Sequence, residues 1–296
     1  MSSADPRAGL HRSYLYVPGS DEDRVRKALT LGADAVIVDL EDAVSSAAKP
    51  VARSTVAAVI GQAATAAACD VHVRIDRDDD GGYRQDDLEA AVGPGLAGLR
   101  LPKVEDPQAL GDLDARLSRL EQERGIPAGT VLLYPTFESA LGMVRISEIL
   151  TASERVARAA IGTSDLLADL MAAGDDDLAT LHVRSELVLR SRACRVGPPI
   201  DSVHVDLDDE QGLIAGAQRA RALGFVGKSV IHPRQLAPVH EVFTPTDEQL
   251  ERAERIVTAA EVAAGSGTGG FELDGEFVDA AVVARARGLL RLRQET

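Results

Sequence analysis

The feature that most constrains this chain is a repeated alternation of short apolar, β-branched runs with longer helical patterns. Ser13–Val17, the apolar first half of Ala33–Val44, Asp70–Ile75, Leu96–Leu101, Gly129–Tyr134, Ala157–Gly162, Ile200–Val205 and Gly227–Ile231 read as strands. Between them stand helical stretches: residue 20 or 21 to Leu31, Lys49 to about Ala67, near 86–93, Asp106–Arg124, Glu138–Leu150, roughly 164–171 and 177–195, and Glu210–Leu223. Strand and helix alternating eight times is the signature of an α/β fold closed as a parallel (β/α)8 TIM barrel. A doubly wound open sheet is the competing architecture. No Gly-x-Gly-x-x-Gly follows the first strand, which weakens its dinucleotide-binding form.

The barrel is expected to take residues 1–245, behind a frayed tail at 1–11, and a C-terminal extension the remaining 246–296. That extension reads as a long helix Thr246–Ala264, a flexible Gly-rich linker Gly265–Gly270, a hairpin Phe271–Asp279 turning at Asp274-Gly275, and a basic helix to about Arg293. Lying outside the eight-unit count, it is free to lid a site or to reach a neighbouring subunit.

Composition narrows the partners. With 45% hydrophobic residues but 3% aromatics and no Trp, the core is expected to be built from Ala, Val, Leu and Ile. A net charge of -15 argues against nucleic acid or an anionic membrane, both of which need a basic footprint. Cys69 and Cys194 lack metal-ligand spacing and read as reduced, buried thiols. No stretch is long enough to span a membrane and the first residues have no apolar leader, so a soluble cytoplasmic protein is expected.

In barrels of this type chemistry sits on the loops after the strands. There the chain places Asp39, Glu41 and Asp42 after the second strand, Arg74 at the end of the third, Lys103 and Glu105 after the fourth, and Glu138 after the fifth. Thr163-Ser164-Asp165, Asp206 with Asp208, and His232 follow the last three. Many carboxylates without a His/Cys cluster favour a hard cation, Mg²⁺ first and Mn²⁺ next. Glu138 and Asp165 are the first ligand pair; each opens a helix, so spacing alone leaves metal binding and helix capping even. Arg74 suits either an ion pair with the acidic cluster or a clamp on substrate oxygen, and Lys103 is ambiguous in the same way. His232 reads as a structural hydrogen-bonding residue. Neither a Ser/His/Asp elbow nor a P-loop is present.

Seven pieces in register point further: Arg12-Ser13-x-Leu15-x-Val17-Pro18-Gly19, Asp39-Leu40-Glu41-Asp42-Ala43-Val44, Leu101-Pro102-Lys103-Val104-Glu105, Glu138-Ser139-Ala140, Gly162-x-x-Asp165-Leu166, Gly227-Lys228-x-x-Ile231-His232-Pro233, and Asp274-Gly275-x-x-Val278-Asp279. Over residues 12–290 the chain resembles the citrate lyase beta-subunit-like branch of the HpcH/HpaI aldolase superfamily. The resemblance implies a Mg²⁺-binding barrel, assembled as trimers or trimer pairs, that cleaves or forms carbon–carbon bonds beside an acyl-CoA thioester. By the same resemblance Glu138 and Asp165 match the metal ligands, and Arg74 the arginine on the reacting carbonyl. Glu41 and Asp42 match acids that hold water around the metal or order Arg74. Asp279 matches an acid/base delivered from the adjacent subunit, and Arg12, Lys103 and Lys228 match thioester or phosphate contacts.

Two departures stand out. Pro135-Thr136-Phe137 replaces an aliphatic approach to the metal glutamate, which reshapes the pocket, and Val278-Asp279-Ala280-Ala281 lacks the proline of the usual Val-Asp-x-Pro tail. The implied reaction is metal-assisted cleavage of a 3-hydroxyacyl-CoA such as malyl- or citramalyl-CoA. Its competitors are a malyl-CoA thioesterase or malate-synthase-like activity, a CoA-independent 2-oxo acid aldolase, and a citrate lyase beta subunit that works on an acyl-carrier protein inside a complex.

Overall fold

Eight of the apolar runs form parallel strands that close on one another in the computed structural model of the chain, which describes residues 10–66, 68–173, 176–265 and 270–295. They are β1 (Ser13–Pro18), β2 (Ala35–Asp39), β3 (Asp70–Arg74), β4 (Gly98–Leu101), β5 (Leu132–Phe137), β6 (Arg158–Ile161), β7 (Gly197–Asp201) and β8 (Gly227–Val230). Neighbours in sequence are neighbours in the barrel, and closure pairs Ser13 with Lys228 and Leu15 with Val230. Every residue of β2 is buried, as a Val/Ile run covered on both faces should be. The architecture is a TIM barrel, as the alternation implies.

Two strands lie about three residues from their expected places, and proline is the reason. β5 runs on through Pro135 to Phe137, and β7 begins at Gly197 and includes Pro198 and Pro199. Proline gives no N–H to a ladder, so it argues against a central strand. Its carbonyl still accepts, however: Pro199 O takes the Val226 N–H at 3.2 Å and Pro198 O takes Arg158 Nη1 at 3.2 Å. The β6–β7 register shifts between Arg158 and Ala160, beside these prolines.

The surrounding helices are α1 (Glu22–Ala28), α2 (Lys49–Ala66), α3 (Gln85–Ala91), α4 (Pro107–Glu123), α5 (Ala140–Val144), α6 (Ile146–Leu150), α7 (Thr163–Asp169), α8 (Asp176–Ala193), α9 (Glu210–Leu223) and α10 (Leu236–Phe243). The single helix expected over Glu138–Leu150 is broken at Arg145, where φ is -100° and ψ 15°. Helix α10 was not foreseen. Capping follows the sequence: Asp106 accepts from Gln108 N ahead of Pro107 in α4, and Gly224 ends α9 at φ 112°.

The core is not purely aliphatic. Most of it is Ala, Val, Leu and Ile, but the barrel centre holds Tyr14, His72, Tyr134 and Arg100, all buried. The Arg100 guanidinium lies 5.1 Å from the Tyr14 ring centroid and 5.7 Å from that of Tyr134. Cys69 and Cys194 are free, half-buried thiols, and burial pushes Cys69 up to about 11. No helix among the described residues is long and apolar enough to cross a membrane.

The chain divides into two compact units, one reaching His240 and one starting at Glu241. The second contains α11 (Asp247–Gly265), the antiparallel pair β9 (Phe271–Leu273) and β10 (Glu276–Val278), and α12 (Ala280–Glu295). Asp274 and Gly275 both take positive φ, 52° and 80°, which is what a two-residue hairpin needs. Ala253, Ile256, Val278, Val283 and Ala286 form its small core. The expected linker at 266–269 and most of the expected N-terminal tail (1–9) lie outside the described residues.

Candidate active site

The carboxyl ends of the strands surround a cavity of about 220 Å³, lined among others by Asp39, Arg74, Glu138 and Asp165. Its geometry starts at the end of β2. Asp39 is buried, and its carboxylate accepts from Glu41 N at 2.9 Å and Ala43 N at 3.1 Å, which folds the acidic turn back over the strand. The same carboxylate receives Arg74 Nε at 2.7 Å and Nη2 at 2.6 Å. A two-pronged grip of this kind fixes a guanidinium in both position and plane. Burial works against the charged form of Arg74, yet the Asp39 bonds together with the charges of Asp39 and Glu41 outweigh it and its pKa is raised. Arg74 is therefore a permanent cation at the cavity wall.

Glu41 stands between two cations, Arg74 Nη1 at 2.7 Å and Lys103 Nζ at 2.9 Å. Burial raises its pKa in spite of both. Asp42 is exposed and stays peripheral, 3.9 Å from Arg74 and 3.7 Å from Lys103. Lys103 takes a left-handed backbone, φ 47°, a strained conformation for a residue with a Cβ. That turn aims its N–H at Glu138 Oε1, 2.6 Å away, while Arg77 Nη1 donates to its carbonyl.

Neither metal-ligand candidate is a helix cap. Ser139 caps α5 by accepting from Gly142 N, and α7 starts from Gly162 with no side-chain cap. Glu138 instead points into the barrel mouth, 7% exposed, and packs on the backbone of Gly162 so closely that a Cβ there would fall on its Oε2. Burial pushes Glu138 up to about 7, with the nearby charges of Asp165 and Glu41 adding to the effect. Asp165 is exposed in the first turn of α7 and lines the same cavity. A buried carboxylate with one oxygen bonded, and a second carboxylate lining the same cavity, fit a hard divalent cation. Glu138 and Asp165 would hold it, leaving positions for water and a chelating ligand.

Two expected contacts need correction. Arg12 precedes β1, at the amino end of the barrel, where its side chain is paired with Asp34 (Nε to Oδ2 2.9 Å, Nη2 to Oδ1 2.8 Å). It cannot reach a ligand at the opposite rim. Lys228 is 4% exposed and binds Asp201 Oδ2 at 2.6 Å, with Arg184 on the other oxygen. Its neighbours Ser229 and Ile231 line the cavity, so strand alternation turns Lys228 away from it. Asp279 belongs to the C-terminal unit, is exposed, and accepts from Ala281 N at 2.9 Å and Val282 N at 3.0 Å at the start of α12. His232 accepts from Arg234 N at 3.2 Å, a structural role.

Sequence reasoning assigned two residues no specific contact. Asp39 was counted among the rim acids, and its place as the last residue of a buried strand was the signal for its grip on Arg74. Tyr16 lines the cavity with the Arg74 guanidinium 5.1 Å over its ring, and only its alternation with buried Tyr14 hinted at this.

Residues 12–233 match the family model described as HpcH/HpaI aldolase/citrate lyase. The citrate lyase subunit beta of Leuconostoc mesenteroides is 35% identical over 96% of this chain and 93% of its own length. The mitochondrial citramalyl-CoA lyase of Rattus norvegicus is 31% identical over 95% of this chain and 85% of its own. The crystal structure of the protein CitE from Mycobacterium tuberculosis, in complex with magnesium, acetoacetate and coenzyme A, superposes with a TM-score of 0.73 at 29% identity, covering 97% of this chain and 99% of that one.

Proposed function

This chain belongs to the HpcH/HpaI aldolase/citrate lyase family, and on that premise we propose that it is a Mg²⁺-dependent carbon–carbon lyase that splits a 3-hydroxyacyl-CoA of the malyl- or citramalyl-CoA type into an acyl-CoA and a 2-oxo acid. One observation carries the proposal: Glu138 and Asp165 line the same small cavity as an arginine locked in place by Asp39. Mg²⁺, or Mn²⁺ in its stead, held by Glu138 and Asp165, would polarise the substrate's hydroxyl and carboxylate as a Lewis acid.

The remaining work falls to the chain's own groups. As the hydroxyl gives its proton to solvent and becomes a carbonyl, the electrons of the breaking carbon–carbon bond pass to the thioester. The resulting enolate carries its negative charge largely on oxygen. Arg74 faces that oxygen as a fixed cation; it cannot be deprotonated, so it stabilises charge and transfers no proton. Glu41, held between Arg74 and Lys103, keeps the guanidinium in plane, with Asp42 outside it. Asp279 of an adjacent subunit, in a trimer or hexamer, would protonate the enolate carbon. The cavity of about 220 Å³ suits the acid end of the substrate, so the nucleotide of CoA would lie along the rim, where half-exposed Lys103 offers a cation. Free thiols suit a cytoplasmic setting.

The test is turnover of malyl-, methylmalyl- and citramalyl-CoA with Mg²⁺ and with EDTA. Metal-dependent release of a 2-oxo acid and a shorter acyl-CoA is expected, and release of free CoA with an intact hydroxy acid would move the assignment to thioester hydrolysis. The likeness to citrate lyase beta subunits favours one second reading, a subunit acting on a carrier protein, which predicts no turnover of any free thioester.

A further inference from the structure

Arg74 has few hydrogens left for a substrate. Its Nε and Nη2 are committed to Asp39, and Nη1 is drawn to Glu41. A guanidinium has only five N–H donors in a fixed fork, so an oxygen that gathers negative charge beside it needs a second donor. Tyr16 stands where one is needed. It is half-buried, lines the cavity, and lies under the Arg74 guanidinium at 5.1 Å. Among the described residues, none of the hydrogen bonds uses its hydroxyl.

The cluster against which Tyr16 packs holds a charge that the proposed chemistry does not use. Arg100 is fully buried, and its Nε, Nη1 and Nη2 all lack a hydrogen-bond partner; the faces of Tyr14 and Tyr134 are its neighbours. An arginine cannot shed its charge, and burying one without a carboxylate is costly unless the charge serves something nearby. Arg100 is the register partner of Arg74 on the next strand. Tyr16 packs against the same buried cluster as Tyr14 and Tyr134, whose rings hold the Arg100 guanidinium, so the charge of Arg100 is felt by the Tyr16 phenol. A cation close to a phenol attracts its oxygen and repels its hydrogen.

We propose that the Tyr16 hydroxyl is the second donor to the anionic oxygen formed in the cavity, and that Arg100 is the positioning residue that turns its hydrogen toward that oxygen. The identity of the oxygen, a thioester enolate, rests on the lyase assignment; the donor itself does not. Tyr16 and Arg74 then cradle one atom from two sides, and the stacking between them holds both in register.

The experiment uses the full chain with Mg²⁺. Tyr16→Phe keeps the ring under Arg74 and removes only the hydroxyl. It should lower kcat about 10²-fold with the melting temperature unchanged. It should also weaken binding of oxalate, a small dianion used as probe in calorimetry, about tenfold or more. Arg100→Met should lower kcat less, and the double variant should be no slower than Tyr16→Phe alone, because Arg100 acts through the hydroxyl. An additive loss in the double variant would overturn the positioning role, and unchanged kcat and oxalate affinity in Tyr16→Phe would overturn the donor. A loss that merely tracks a lower melting temperature would also overturn it. If the wild type turns over no thioester but its oxalate affinity still falls on Tyr16→Phe, the lyase assignment fails and the donor stands. A wild type that neither turns over nor binds oxalate overturns both.

Discussion

Replacing Glu138 by Gln should make the metal-free protein more stable while destroying its activity. The Glu138 carboxyl rises from the ordinary 4.5 to about 7, chiefly through burial. At about 1.4 kcal/mol per pH unit, this corresponds to roughly 3 kcal/mol of folding stability lost when the group is forced to ionise. The side chain is only 7% exposed, so little of that is relieved by solvent. Glutamine keeps the acceptor for Lys103 N–H but brings an amide N–H₂ that must find its own partner, which takes back about 1 kcal/mol. The net gain is about 2 kcal/mol, or roughly 3 °C in melting temperature for a chain of 296 residues.

The sign depends on pH. A carboxyl that binds its proton more tightly when folded costs nothing below its unfolded pKa, progressively more from about 4.5 to about 7, and its full amount above. Thermal scans of both proteins in EDTA should therefore put the variant slightly lower near pH 4.5 and higher by pH 8, the two curves crossing in between. Saturating Mg²⁺ should close the gap by stabilising the wild type alone. A variant less stable than the wild type at pH 8, or a gap independent of pH, would refute the view that this carboxylate is held at a cost for a cation.

Three further outcomes follow from the same geometry. Gly162→Ala should leave the fold intact yet weaken Mg²⁺ binding about tenfold or more by displacing Glu138, as read by calorimetry. Asp39→Asn presents an amide to the Arg74 fork in place of an anion, so kcat should fall about 10²-fold and stability by about 1–3 kcal/mol, measured by steady-state kinetics and urea unfolding. Lys228→Met should cost about 1–3 kcal/mol in urea unfolding, because Asp201 keeps Arg184, with KM for the thioester unchanged; a large rise in KM would put Lys228 back in the site.

The barrel was legible because strands covered on both faces must be apolar throughout, and β2 and β3 came out within a residue or two of their expected ends. Where prolines interrupt the pattern, at Pro135 and at Pro198-Pro199, the ladder tolerates a missing N–H that local rules treat as a stop. The acids and Arg74 were legible because charge at the end of a buried strand has no packing rationale. Arg12 and Lys228 were misplaced for the opposite reason: a motif shows that a position is used, not which way its side chain points. Alternation along β8 carried that information, since Ser229 and Ile231 face the cavity and Lys228 between them cannot. The roles of Tyr16 and Arg100 depend on contacts across the barrel from residues far apart in sequence, which no local pattern encodes.

The left-handed turn at Lys103 is also a seam. On its N-terminal side, β1 to β3 carry Tyr16 and Arg74, the groups proposed to face an anionic oxygen, with Asp39 holding Arg74; on its C-terminal side, Glu138 directly after β5 and Asp165 at the start of α7 are the two carboxylates proposed for the ion. The Lys103 N–H bond to Glu138 ties one half-barrel to the other. The two tasks therefore travel as separable modules. A chimera joining residues up to about Pro102 of this chain to the second half of a relative should take its metal affinity from one parent and its orientation of the reacting oxygen from the other.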